Sequence, residues 1–352
     1  WTLSARTAFY LQGRPGVRLR RGEVVSGVES PPGDARRASG PDAAPSAPDL
    51  SVRLGGLHLP NPILTASGTF GYGLEFGHLT ALDRLGGIVT KGLSLQPLKG
   101  NPPPRIGEPR GGMLNSIGLQ NIGIEKFLAE VLPGLGRFPA QVVVNLFGYE
   151  FDDYARLAER VDAFAGVAAV ELNVSCPNVT KGGIEFGHDP ALLERLVRSV
   201  RNVTAKPIAV KLSPNVTSPA AIGEAAKAGG ADILSAINTV LGMAIDPWTR
   251  RPRLHTTRGG LSGPAIKPIA VRIVYDVAKK VGLPVIGIGG VETVDDVIEF
   301  LLAGASAVQV GTALFRNPRA AEQLVDGLAA RLVEMKVERV TELVGAVRPW
   351  RE

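Results

Sequence analysis

A single cysteine in 352 residues excludes an intrachain disulfide. It also excludes a zinc-thiolate or iron-sulfur centre held by this chain alone, since such centres need about four ligands, mostly Cys. Any such centre must belong to another chain. No run approaches the roughly eighteen uncharged apolar residues of a membrane span, and the N-terminal segment lacks the apolar core of a secretory signal. These absences predict a soluble, cytoplasmic protein without membrane contact. Aromatics are only 5%, and the 39 Lys and Arg are scattered against 33 acids for a net charge of +6, so the basic, aromatic-interleaved surface of a nucleic-acid binder is not expected. The four histidines, His58, His78, His188 and His255, show no ligand spacing and predict no metal site. No GxGxxG motif follows a candidate strand, which argues against dinucleotide binding through a Rossmann fingerprint.

What is present is a globular composition rich in tight turns: 45% hydrophobic, 20% charged, with 43 Gly and 27 Pro. Residues 31–48 hold five Pro, five Ala, two Gly and two Ser with no branched aliphatic, so they cannot bury a core of their own. Residues 1–22 carry five Arg and no acid, as transit peptides do, although a chain that begins with Trp reads more simply as incomplete or as carrying translated upstream sequence. Residues 1–49 are therefore read as a disordered or non-native tail and 50–352 as one catalytic domain. Within that domain, short β-branched runs at 61–68, 87–93, 141–148, 168–175, 207–213, 233–239, 284–290 and 307–314, most of them nearly continuous in apolar residues, predict parallel strands covered on both sides. Helical patterns alternate with them at 154–165, 189–203, 220–228, 266–281 and 294–303. Asp189-Pro190 and Asn317-Pro318 give helix starts, and Gly229-Gly230 and Gly304 give stops. Roughly eight βα units predict the α/β class and a closed (β/α)8 TIM barrel with long inserted loops at the C-terminal face. The insertions are 94–123 and 241–260; both follow strands, on the face where barrels carry their chemistry.

The strand ends hold polar residues that interrupt apolar runs: Thr90-Lys91-Gly92, Asn145, Asn173 through Asn178, Lys211, and Asn238-Thr239. A lone lysine after a strand is usually a solvated side chain, but several amides and two lysines converging from different strands point to a site. Gly287-Ile288-Gly289-Gly290 and Val310-Gly311-Thr312 lie where barrels bind phosphate, although glycines there also serve ordinary tight turns. Cys176 could be a small buried hydrophobe. Its place beside Pro177, between Asn173 and Asn178 in a loop expected to face the site, favours a catalytic role instead, and a thiol with an ordinary pKa near about 8.5 suits a base in a water-poor pocket.

Several motifs in order resemble a known family. Thr65-Ala66-Ser67-Gly68-Thr69-Phe70-Gly71, Thr90-Lys91-Gly92, Gly100-Asn101-Pro102, Asn115-Ser116-Ile117-Gly118-Leu119-Gln120-Asn121 and the Asn173–Asn178 loop look like class 1 dihydroorotate dehydrogenase. Gly242-Met243-Ala244-Ile245-Asp246 and Gly259-Gly260-Leu261-Ser262-Gly263-Pro264 look like class 1B, the FMN-containing catalytic subunit of the NAD-linked enzyme. The resemblance covers residues 50–348 and leaves the tail without a counterpart. It implies oxidation of (S)-dihydroorotate to orotate in pyrimidine biosynthesis, with the cysteine of the NxSCPN loop, here Cys176, removing the C5 proton while hydride passes to FMN. For the substrate it implies Lys91, Asn115, Ser116, Ile117, Gly118, Leu119, Asn173, Asn178, Asn238 and Thr239. For FMN it implies Ser67, Lys91, Gly92, Asn145, Asn173, Lys211, Ile237, Gly263, Gly289, Gly290, Gly311 and Thr312. Electrons would pass to NAD through a partner carrying FAD and an iron-sulfur cluster, in a heterotetramer built on a homodimer of this chain. The residues alone leave open a fumarate-reducing class 1A enzyme, another FMN barrel such as a dihydropyrimidine dehydrogenase module, a cofactor-free phosphate-binding isomerase or aldolase, and a non-catalytic scaffold. The constellation of Lys91, Cys176 and Lys211 weighs against the scaffold.

Overall fold

The computed structural model describes residues 47–174 and 186–350. Eight parallel strands close in chain order: β1 (Ile63–Thr65), β2 (Gly87–Val89), β3 (Gln141–Leu146), β4 (Ala169–Asn173), β5 (Ile208–Leu212), β6 (Ile233–Ala236), β7 (Val285–Ile288) and β8 (Ala305–Val310), with β8 pairing back onto β1. This is the barrel that the alternating pattern predicts. Its strands are buried almost throughout because side chains fill the lumen and helices cover the outside, which is why they read as continuous apolar runs.

The main helices are α1 (Phe151–Asp162), α2 (Pro190–Arg201), α3 (Pro219–Ala228), α4 (Lys267–Val281), α5 (Val294–Leu302) and α6 (Ala320–Met335). At the start of α2 the Asp189 carboxylate accepts from the Leu192 N–H at 3.0 Å while Pro190 takes the first helical position, where its missing donor costs nothing. The helix then buries Leu193, Leu196, Val197 and Val200, a three-and-four spacing that turns one stripe to the barrel. The start signal at Asn317-Pro318 proves displaced. Asn317 instead ends the short helix Ala313–Arg316, accepts from the Arg319 N–H at 3.1 Å and donates to Gln323, and α6 begins at Ala320.

Strand ends also fall short of the apolar runs. β6 stops at Ala236 and β7 at Ile288; beyond β6 the Ile237 and Asn238 N–H groups still donate to the Ile288 and Leu212 carbonyls, at 3.0 and 2.8 Å, as the chain passes into the rim of the barrel. The two insertions, far apart in sequence, meet in one four-stranded antiparallel sheet in the order Ile106–Gly107, Met113–Asn115, Gly259–Ser262 and Val240–Gly242. A small hairpin, Ile245–Asp246 with Arg251–Pro252, extends from the second insertion and carries the exposed Trp248. Among the described residues no helix is long and apolar enough to cross a membrane.

Candidate active site

The C-terminal ends of the strands and the inserted sheet enclose a cavity of about 400 Å3. The segment after β1 brings Ser67, the segment after β2 brings Lys91 and Gly92, and β3, β4 and β5 supply Asn145, Asn173 and Lys211. Ile237, Asn238 and Thr239 follow β6. From the opposite side, the inserted sheet contributes Asn115 and Ser262, and Ile117, Gly118 and Leu119 complete that wall.

Hydrogen bonds hold the rim in register. Tyr154 Oη donates to the Asn173 carbonyl at 2.8 Å, tying helix α1 to the end of β4. Asn238 Nδ2 donates to Asn173 Oδ1 at 3.2 Å, and Thr312 Oγ1 donates to Ser262 Oγ at 2.8 Å, joining the loop after β8 to the inserted sheet. The loops after β7 and β8 expose glycine backbone to the cavity through Gly289, Gly290 and Gly311. At Gly290 the requirement is steric twice over: φ is +77°, and a Cβ would stand 2.8 Å from Lys267 Cβ and 2.9 Å from the Gly263 carbonyl oxygen.

Two lysines give the cavity its charge. Lys211 is only 7% exposed, and the side-chain ammonium of neither it nor Lys91 makes a hydrogen bond or ion pair among the described residues. Burial pushes the Lys91 ammonium below its usual 10.5, the Arg105 guanidinium lowers it further, and Glu75 acts weakly the other way. A cation placed so, without a protein partner, is suited to receive an anionic ligand.

Beneath this rim a polar layer crosses the barrel lumen. Glu171 on β4 is fully buried; one carboxylate oxygen accepts from Asn145 Nδ2 at 2.7 Å, and the other from Ser235 Oγ and Gln309 Nε2 at 2.8 Å each. β8, which carries Gln309, lies diametrically opposite β4 in the strand order, so that bond spans the barrel.

The family described as dihydroorotate dehydrogenase matches residues 49–332. The chain belongs to the dihydroorotate dehydrogenase family. Among its relatives, dihydroorotate dehydrogenase B (NAD(+)), catalytic subunit, of Pelobacter propionicus is 54% identical over 300 residues, 85% of this chain and 99% of that protein. The proteins of the same name from Geotalea uraniireducens and Trichlorobacter lovleyi are 54% and 53% identical over 85% of this chain, covering 98% and 99% of their own lengths.

Of the residues expected for a dihydroorotate dehydrogenase, the structure gathers Ser67, Lys91, Gly92, Asn115, Ile117, Gly118, Leu119, Asn145, Asn173, Lys211, Ile237, Asn238, Thr239, Gly263, Gly289, Gly290, Gly311 and Thr312 around the one cavity. Ser116 does not line it. That residue is buried behind the wall, where its Oγ accepts from Asn101 Nδ2 at 2.9 Å and from Thr256 Oγ1 at 2.6 Å, so it braces the insertion instead. Cys176 and Asn178 lie outside the described residues. Glu171, Ser235 and Gln309 went unremarked in the sequence reading, although each is a polar residue inside a short, otherwise apolar strand, a placement that a fully buried strand tolerates only when the group is bonded.

Proposed function

We propose that this chain catalyses the oxidation of (S)-dihydroorotate to orotate in pyrimidine biosynthesis, using FMN held in the barrel-mouth cavity. The observation that carries the reading is the meeting in one cavity of two lysines without protein partners, a ring of side-chain amides and the glycine-lined loops after β7 and β8. These features fit the cofactor. The glycine backbone, closed to any side chain at Gly290, suits a phosphate; Lys211 suits the negative charge that reduction brings to a flavin ring; and the buried Asn145 Oδ1, without a partner among the described residues, suits a ring N–H. Gly263, Gly289, Gly290, Gly311 and Thr312 would hold the phosphate, and Ser67, Lys91, Gly92, Asn145, Asn173, Lys211 and Ile237 the ring system. When bound, FMN supplies the acceptor for the hydride that leaves C6 of the substrate.

The chain's own residues do the remainder. Asn115, Asn173, Asn178 and Asn238, with Thr239, match the alternating donors and acceptors of the pyrimidine ring, since an amide offers both roles without a charge. Lys91 meets the substrate's negative charge, and Ile117, Gly118 and Leu119 complete the wall of the same cavity. Cys176 Sγ receives the proton from C5, so that proton and hydride leave adjacent carbons and the ring gains its double bond. With one cysteine the chain cannot ligate an iron-sulfur cluster, which supports a separate FAD and iron-sulfur subunit as the route to NAD, in an assembly of two such subunits on a homodimer of this chain. The test is direct: purified protein should be yellow with a flavin spectrum, and anaerobic dihydroorotate should bleach it. A colourless protein that takes up no FMN would overturn the reading.

A further inference from the structure

Glu171 belongs to no ion pair among the described residues, and its role is visible only through what it holds. Its carboxylate accepts hydrogen bonds and offers none, so the Asn145 amide has one orientation available: Nδ2 faces Glu171 and Oδ1 faces away. Oδ1 is buried without a partner among the described residues, and it lies 2.9 Å from where a Cβ on Gly92 would stand. Asn145 and Gly92 both line the cavity. The Asn145 backbone N–H is also fixed, donating to Thr90 Oγ1 at 3.2 Å, so neither end of the residue is free to turn.

We propose that Glu171 is a positioning residue for the cofactor site: it locks the Asn145 amide so that the cavity wall presents a hydrogen-bond acceptor and takes a ring bearing an N–H donor. The proposal rests on the FMN reading, since a flavin ring offers such a donor. Its physical content lies in the contrast between a carboxylate and an amide at position 171. In Glu171→Gln the new side chain can keep Oε1 towards Ser235 and Gln309, which leaves its Nε2 facing Asn145. Two NH2 groups cannot bond to each other, so Asn145 turns over and shows the cavity a donor. The shape is preserved and the polarity of one wall position is inverted.

The experiment measures FMN binding to apoprotein by fluorescence, together with the absorption band of the bound flavin, which responds to hydrogen bonding at the ring. Four proteins are compared: wild type, Glu171→Gln, Asn145→Ala and the double variant. Glu171→Gln should weaken FMN by about fivefold to fiftyfold and alter the band, while in the Asn145→Ala background the same change should add less than about twofold and leave the band alone. Wild-type affinity and band in Glu171→Gln would overturn the proposal. So would equal weakening in both backgrounds, which would mean that Glu171 acts by its own charge or by general support of the barrel. Should Glu171→Gln fail to fold, Asn145→Ala carries the test: if it binds FMN as tightly as wild type, Asn145 offers the cofactor nothing for Glu171 to position. A wild-type chain that binds no FMN overturns the cofactor reading itself, and is told apart from the other failures by that.

Discussion

Lys91 illustrates how a single half-buried charge couples binding to pH. Its pKa lies below 10.5 because burial, with Arg105 adding to it, disfavours the ammonium. In the free protein the penalty of holding that charge is fully present below the folded pKa and is relieved as pH rises through it, because the unfolded chain binds more protons between that value and 10.5. An anion beside Lys91 reverses the preference and raises the pKa. Binding of orotate should therefore take up protons in this window, and its affinity should fall as pH rises through it. Calorimetry in two buffers of different ionisation heat measures the uptake, which should disappear in Lys91→Met. Cys176 makes a separate prediction. Cys176→Ala should keep FMN and orotate binding but slow reduction of the flavin by dihydroorotate by about two to four orders of magnitude, the usual worth of a positioned base. Cys176→Ser should recover part of that rate at high pH, where a hydroxyl can lose its proton. Stopped-flow reduction at the wild-type rate in the Ala variant would remove this residue from the mechanism.

At the scale of elements, the closure of the barrel depends on polar staples as well as apolar stripes. Glu322, buried in the first turn of α6, accepts from Thr80 Oγ1 at 3.0 Å and from the Ala81 N–H, and pairs with Arg319. It thereby ties the last helix to the connection between β1 and β2. Burial pushes its carboxyl up, but the Ala81 N–H, Arg319 and Thr80 together outweigh this and hold the pKa below its ordinary 4.5. Stability from such a group is present above its unfolded pKa and is lost as pH falls through the lower folded one. Glu322→Gln should cost about 1–3 kcal/mol at neutral pH and flatten the acid limb of the stability curve, as urea melts between neutral and acid pH would measure. Glutamine melting like wild type throughout would show that the staple contributes nothing.

The elements also show what a sequence can and cannot disclose. All eight barrel strands were legible as short β-branched runs, most of them nearly continuous in apolar residues, because burial on both faces leaves no alternation to confuse. The runs overshot where Asn238, Thr239, Gly289 and Gly290 continue past the regular strands, and those overshoots are cavity residues. The pairing of Met113–Asn115 with Gly259–Ser262 was not legible: the strands are short and distant, and nothing local encodes their register. Glu171 was readable as an acid in a buried strand, but which groups it satisfies depends on β3, β6 and β8 arriving around it.

For the whole molecule the decisive question is where the electrons go, and what the chain lacks sets the expectation. One cysteine cannot hold a two-iron cluster, and no Rossmann fingerprint follows a strand, so hydride transfer to a nicotinamide has no evident seat on this chain. The isolated protein should therefore be reduced by dihydroorotate at full speed yet pass electrons to NAD poorly. Adding a subunit that carries FAD and an iron-sulfur cluster should restore NAD reduction without changing the rate of the first half-reaction, because such a subunit would act only after dihydroorotate has been oxidised. Turnover assays with NAD, fumarate and an artificial dye, each with and without that subunit, separate the possibilities. Efficient NAD reduction by this chain alone would mean that a nicotinamide site exists within it. A preference for fumarate under every condition would instead mean that the cavity readmits a second acid after orotate departs, and the NAD-linked assignment would fall while the FMN barrel stood.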